Sequence, residues 1–241
     1  MAGESIPISH PRYFSLLLRE KIVAGVAAGV TSPHGLIAHG RGEALDYLLG
    51  ERTHDFAHAA IAEAALRLRN AQHPVLSING NVAALAAVEI VALAKACGAP
   101  LEVNIFHTSP ERERVIRHAL LDAGAAEVLM PSRTHALEHL EHNRRWVHPE
   151  GIWKADVVLV PLEDGDRCQA LVRHGKQVIT IDLNPLSRTA QTASVTIVDH
   201  LLRAVPLLTE AVSQVSATTG PAYDNAAILQ QAVAALRQGV S

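Results

Sequence analysis

The pattern of apolar and polar residues changes at about residue 73. Before that point it has the spacing of helices. Ser9 or His10 followed by Pro11 opens a helix to about Ala28, because proline at the first helical position gives up an N–H that has no intrahelical acceptor. Gly29 and Thr31-Ser-Pro33 close it. Gly35 to Gly42 reads as a glycine- and histidine-rich loop, and Glu43 to Leu49 as a short helix. Thr53 or Asp55 caps a longer helix to Asn70, with Phe56, Ile61, Ala65 and Leu68 near helical spacing.

After that point short apolar runs alternate with helical patterns. Strands are predicted at Val75–Ile78, Leu101–Phe106, Glu127–Met130, Asp156–Val160, Val178–Asp182 and Thr196–Val198. Between them lie helices from Val82 to Ala96, closed by Gly98, and from a Thr108–Glu111 capping box to just before Gly124. Two more run from Asp166 to His174 and from His200 to Val215. Such alternation implies right-handed crossovers and a parallel sheet. The expected fold is therefore α/β, a Rossmann-like parallel sheet flanked by helices. Residues 1–72 form an N-terminal helical segment and 73–215 the sheet core. Residues 216–241 hold a linker and a C-terminal helix, Pro221–Gln238, capped near Asp224. Pro131–Lys154 breaks the rhythm. It is polar, rich in His and Arg, and reads as a surface excursion.

Composition narrows the function. The 241 residues are 49% hydrophobic with a net charge of −3 and 3% aromatics, which suits a sizeable single core. Without a basic stripe or an aromatic platform, nucleic-acid binding is not expected. Glu89 and Lys95 interrupt the longest apolar run, so it reads as a core helix and not a membrane span. Cys97 and Cys168 form no C-x-x-C and read as buried thiols of a reducing, cytoplasmic setting. The first residues carry no secretory pattern.

The chemistry gathers at strand ends. Ligands of open α/β sheets bind just past the carboxyl ends of the strands. Val178-Ile-Thr-Ile181 stops at Asp182, and Leu183, Asn184, Ser187, Arg188 and Thr189 follow. These groups suit a ribose or base edge and a phosphate, and equally a well-capped turn. Ser77-Ile-Asn79-Gly80-Asn81 ends the first strand in a phosphate-compatible turn, although Asn79 and Asn81 serve equally as turn formers. Neither a G-x-G-x-x-G nor a P-loop pattern is present. In Gly35–Glu43, Gly40 and Gly42 flank Arg41, an always-charged phosphate ligand. Glu163, Asp164 and Asp166 crowd around Gly165 and suggest Mg²⁺, held chiefly by Asp164 and Asp166, or else a helix cap with an acidic turn. His135 and His139 stand four apart, a helical spacing that can hold Zn²⁺, in a segment that otherwise reads as a solvated helix. Arg19 lies among Ser15, Leu16 and Val23 and needs an anion or carboxylate partner.

Several long motifs together resemble the archaeal phosphopantothenate synthetase family. They are Ser9–Tyr13, Arg19–Lys21, Gly35–Ala44, Asp46–Thr53, Asn79–Ala84, Ala155–Arg167 and Ile181–Ala190, and the likeness runs from about Ile6 to Tyr223-Asp-Asn225. It implies ATP-dependent condensation of 4-phosphopantoate with β-alanine for coenzyme A synthesis, by a homodimer that uses Mg²⁺. It places ATP contacts on Arg19, Arg41, Asp182, Leu183, Asn184, Arg188, Thr189 and Asp199, and on His200, where the family is expected to carry Asn. The implied chemistry is an acyl-adenylate with release of AMP and diphosphate. Arg19, Arg41 and Arg188 would face the developing charge. His39 is a candidate for assisting proton loss from the amine, although a packing or capping role suits it better. Gly40, Gly42, Asn79, Gly80 and Asn81 are the expected substrate contacts. Two rivals are a non-catalytic nucleotide-sensing α/β domain and a dinucleotide-dependent oxidoreductase. The missing glycine fingerprint speaks against the second.

Overall fold

The computed structural model describes residues 6–10, 12–106, 109–216, 220 and 222–239. Six parallel strands form one sheet: β1 (Pro74–Ile78), β2 (Leu101–Val103), β3 (Val128–Leu129), β4 (Val157–Leu159), β5 (Gln177–Ile181) and β6 (Val195–Ile197). Their order is β3-β2-β1-β4-β5-β6, so the direction of winding reverses between β1 and β4. This is the doubly wound topology, in which a crevice opens at the switch point.

Side chains alternate between the two faces of each strand. Leu76, Ile78, Leu159, Ile179 and Ile181 join the larger core with three helices: α3 (Asp55–Asn70), α4 (Gly80–Cys97) and α8 (Leu201–Gln214). Val75, Val158, Val160 and Val178 face a second cluster built from Leu137, Val147, Ile152, Cys168 and Leu171. The segment 131–154 is therefore a cover over one sheet face, not a surface excursion. It carries an Ala136↔Trp146 bridge and a short 3₁₀ turn, Asn143–Arg145, and His139 has φ 61°. No helical face joins His135 to His139. Among the described residues no group of three His, Cys, Asp or Glu is placed to hold a metal.

Local chemistry sets the helix starts. The Asn79 side chain accepts from Val82 N–H at 3.1 Å to begin α4, and Gly98, at φ 63°, ends it. α4 is apolar enough in composition to cross a membrane, but Val82, Leu85, Ile90 and Leu93 are buried in the core. Ser109 caps α5 (Pro110–Asp122), while Thr108, expected to open the capping box, lies outside the described residues. Asp164, not Asp166, caps α6 (Gly165–Arg173) by accepting from Arg167 N–H. Ser187 caps the short α7 (Arg188–Thr192), and Asp224 caps α9 (Asn225–Gln238), as expected.

The N-terminal segment differs most from expectation. α1 (Tyr13–Ala27) begins later than Ser9 or His10, and Pro11 lies outside the described residues. Gly35–Gly42 is not a loop: one helix, α2, runs from Pro33 to Leu48. Its interior N–H groups serve the helix. Gly40 and Gly42 therefore offer no exposed backbone cradle for an anion.

Candidate functional site

A cavity of about 720 Å³ opens at the carboxyl ends of the strands, under α2. Its wall brings together sequence regions far apart along the chain. Arg41, His39 and Gly42 come from α2, Asn79, Gly80 and Asn81 from the β1–α4 turn, and Asp182, Leu183 and Asn184 from the end of β5. Asp199 and His200 close it beyond β6. Gly40, Arg19, Asp164, Asp166, Arg188 and Thr189 are not in this wall. Arg41 and the Asn184 loop, expected to share one site, do share it.

The loop after β5 is built around Asp182. Its carboxylate accepts from Asn184 N–H at 2.9 Å and from the Ser187 hydroxyl, and the Asn184 side chain accepts from Leu186 N–H. Burial raises the Asp182 pKa, opposed by those bonds and by the charge of Arg41. Thr189 is buried and donates to the Glu163 carbonyl at 2.9 Å, so it ties this loop to the β4–α6 turn.

At the β6 end, Asp199 accepts from Thr53 Oγ1 at 2.6 Å and from Arg203 Nε at 2.8 Å. Arg203 also pairs with Asp46 of α2. His200 Nδ1 accepts from Leu202 N–H to cap α8. Burial and then Arg203 push the His200 pKa down to about 4, so its ring is neutral near pH 7. His39 is also pushed down by burial, and its Nε2 is buried without a hydrogen-bond partner among the described residues.

Two expected phosphate ligands are held by carboxylates of the same chain. Arg19 has the partner it was expected to need, Glu43, with an N–O distance of 2.8 Å. Arg12 shares that carboxylate. Burial favours the neutral form of Glu43, but Arg19 and Arg12 outweigh it and hold the group below the usual range. Arg188 pairs with Asp166. Gly165 allows this approach, since a Cβ there would stand 2.6 Å from the Arg188 Cβ.

The asparagines at the β1 end are engaged within the protein. Asn79 Nδ2 donates to the carbonyls of Pro161 and Leu162 at 2.9 and 3.1 Å. Asn81 donates to the Gly35 carbonyl and accepts from Thr31 Oγ1. Gly80 is required by packing, because a Cβ would come within 2.6 Å of the Val30 carbonyl.

A buried ionic network, not anticipated from the sequence, reaches into the wall. Arg144, from the 131–154 cover, donates to Asn104 Oδ1 at 2.9 Å, to Asp164 at 2.5 Å and to Glu163 at 2.7 Å. Glu163 also accepts from Arg167, which is fully buried and reaches Ser77 Oγ at 3.0 Å. Burial disfavours the charged form of Asp164, but Arg144 overrides it and lowers the pKa. With Asp164 capping α6 and facing Arg144, and Asp166 facing Arg188, both expected metal ligands are engaged by other groups.

With this geometry in view, residues 56–239 match the family described as phosphopantothenate/pantothenate synthetase. The chain is 55% identical over 207 residues to the 4-phosphopantoate–beta-alanine ligase of Thermococcus kodakarensis, covering 86% of this chain and 79% of that one. It is 57% identical over 200 residues to the enzyme of the same name from Methanosarcina mazei, covering 83% and 79%. The chain belongs to this family. The family match includes the β1, β4, β5 and β6 ends and the whole ionic network, and begins at Phe56, after α2. Arg19, His39 and Arg41 precede it.

Proposed function

We propose that this protein is an ATP-dependent ligase that joins 4-phosphopantoate to β-alanine, giving 4′-phosphopantothenate, AMP and diphosphate. Relatives bearing that ligase name at more than half identity support the reading. The observation that carries it in the geometry is a single cavity joining Arg41 and the Asp182–Ser187 loop to the β1 and β2 ends. A nucleotide and a second substrate can therefore meet at the switch point.

In the proposed course a carboxylate oxygen of the acid attacks the α-phosphorus of ATP, and the bond to the bridging oxygen breaks to release diphosphate. The β-alanine nitrogen then attacks the acyl carbon, AMP leaves with the bonding pair, and the nitrogen sheds a proton. Asp182, Leu183 and Asn184 position the nucleoside. Arg41 faces the phosphates, joined by Arg19 and Arg188 once the triphosphate replaces Glu43 and Asp166 as their partners. Fixed cations aimed at developing charge are commonly the largest catalytic contribution. His39, with a pKa lowered by burial and a buried Nε2 that has no hydrogen-bond partner among the described residues, takes the amine proton.

Mg²⁺ enters with the triphosphate, since it usually keeps waters and binds through substrate phosphates plus one or two carboxylates. Asp166 is the more open of the two carboxylates once Arg188 turns to phosphate. The assembly proposed is a homodimer. The deciding experiment incubates the purified protein with ATP, 4-phosphopantoate and β-alanine. AMP formation that needs all three supports the ligase. ATP binding without AMP would point to a sensing domain instead.

A further inference from the structure

The acid of the proposed reaction has an apolar middle. Between its carboxylate and its phosphate, 4-phosphopantoate carries a quaternary carbon with two methyl groups, which gain by leaving water for an apolar surface. Of the large apolar side chains in the cavity wall, Phe106 and Leu162 are exposed. Leu162 stands just past β4, where the winding of the sheet reverses. Its N–H donates to the Ile181 carbonyl at 3.1 Å, beside the start of the loop after β5. Its carbonyl accepts from Asn79 Nδ2 at 3.1 Å, at the end of β1. Leu162 therefore lies between the proposed nucleotide loop and the β1 end.

The backbone of Leu162 is unusual for its residue type. Among the described residues three other than glycine have positive φ, namely Glu51, His139 and Leu162, the last at 54°. In this left-handed region the Cβ crowds the following carbonyl, a cost that glycine escapes and asparagine tolerates. A strained residue of this kind persists only where its surroundings over-determine it. Here they do. Asn79 Nδ2 also donates to the Pro161 carbonyl at 2.9 Å, and Thr189 Oγ1 donates to the Glu163 carbonyl at 2.9 Å. The Glu163 carboxylate is held in turn by the buried Arg144 and Arg167. The core does not explain the leucine. It is 37% exposed, and neither buried apolar cluster of the described residues includes it. A clamped, strained apolar residue that serves no core and lines a cavity points to a ligand. Only one carbon separates the attacking carboxylate of the acid from its quaternary carbon, so the methyls come to rest beside the nucleotide loop, where Leu162 stands.

Resting on the ligase reading, we propose that Leu162 is the apolar contact for the two methyl groups of 4-phosphopantoate and so sets the preference for an acid branched at that carbon. The acid then lies over the switch point, with its carboxylate directed toward the nucleotide and its methyls against Leu162. Leu162 acts here as a binding and specificity residue, and no proton or bond change passes through it.

The test pairs 4-phosphopantoate with 2-hydroxy-4-phosphobutanoate, which lacks both methyls, and compares wild type with Leu162→Asn and Leu162→Met. Asparagine tolerates the left-handed backbone but removes the apolar contact. Methionine keeps the contact at similar volume. Each acid is titrated directly, beside measurements of the melting temperature, AMP formation and the KM for ATP. Wild type should prefer the methylated acid. Leu162→Asn should cut that preference roughly tenfold, the scale on which an apolar pocket reads a methyl group. Its binding of the unmethylated acid and its KM for ATP should stay near wild type, and its melting temperature should hold or rise. Leu162→Met should retain most of the preference. A wild type that binds both acids equally overturns the assignment. So does a preference that survives in Leu162→Asn, early melting of that variant, or a loss confined to ATP. If wild type binds 4-phosphopantoate yet forms no AMP, the ligase reading fails, and the two titrations still decide the role of Leu162.

Discussion

Arg188 and Arg19 each present a guanidinium to a carboxylate of their own chain, and the exposed pair is the easier to interpret. The Arg188 side chain is 58% exposed, and exposed ion pairs contribute little to stability. Arg188→Ala should leave the melting temperature nearly unchanged. It should cost roughly a hundredfold in AMP formation if the guanidinium meets phosphate charge in the transition state. Arg188→Lys should recover little, since a point charge does not reproduce a bidentate fork. A variant that melts early yet turns over normally per folded molecule would instead assign Arg188 to structure. At this scale the sequence exposed some groups and hid others. Asp182 and Asn184 were legible because polar residues abruptly end an apolar strand. Arg144 was not, because it does not lie at a strand end. Arg144 acquires its surroundings from Asn104, 40 residues earlier, and from Asp164, 20 residues later.

Among the elements, α2 shows how packing overrides local preference. Three glycines in eight residues argue against a helix by propensity alone. Gly35 is nonetheless needed inside it, because any Cβ would collide with Asn81 and Thr31. The 131–154 cover misled for the opposite reason. Its apolar residues, Leu137, Leu140, Val147 and Ile152, are too widely spaced to give a period, yet all four are buried. Glu102, on β2, anchors this cover by accepting from the N–H groups of His148 and Ile152 at 2.9 and 2.6 Å. Burial lifts its pKa to about 7, against those two bonds and the charge of Arg167. An unfolded chain releases that proton near the ordinary value of 4.5, so between 4.5 and 7 the folded state binds more protons. Glu102 therefore makes stability fall as pH rises through that interval. Melting curves of wild type and Glu102→Gln across it should differ in slope, with the variant losing less. Parallel curves would mean that Glu102 does not hold its proton in the folded protein.

For the whole molecule, topology was the most legible level. Every predicted strand is present, because buried parallel strands read as short apolar runs and the alternation with helices fixes the crossovers. β2, β3 and β4 are shorter than expected, β2 most of all, because the chain from Leu101 continues past Val103 into the cavity wall at Ile105 and Phe106. Assembly is less directly written. Val23 of α1, Ile37 and Tyr47 of α2 and Val88 of α4 are large apolar side chains more than half exposed. They suit burial against a second copy. Light scattering of the purified protein should give twice the chain mass of 25.8 kDa. A single-chain mass throughout the micromolar range would exclude the homodimer.

The Asp46–Arg203–Asp199–Thr53 cluster has a thermodynamic consequence. It is a polar seam that ties α2 and the turn after it to the residues just past β6 and to the first turn of α8, with 157 positions of sequence separating Asp46 from Arg203. The cavity takes one wall from α2 and the other from the strand ends, Asp199 and His200, and in the closed state the seam helps to hold these walls together. A ligand that touches both walls therefore favours that closed state. By mass action it must deepen the closed state by RT ln(1 + [L]/Kd). The substrates then act as reversible rivets, and the protein is most firmly assembled when it is occupied.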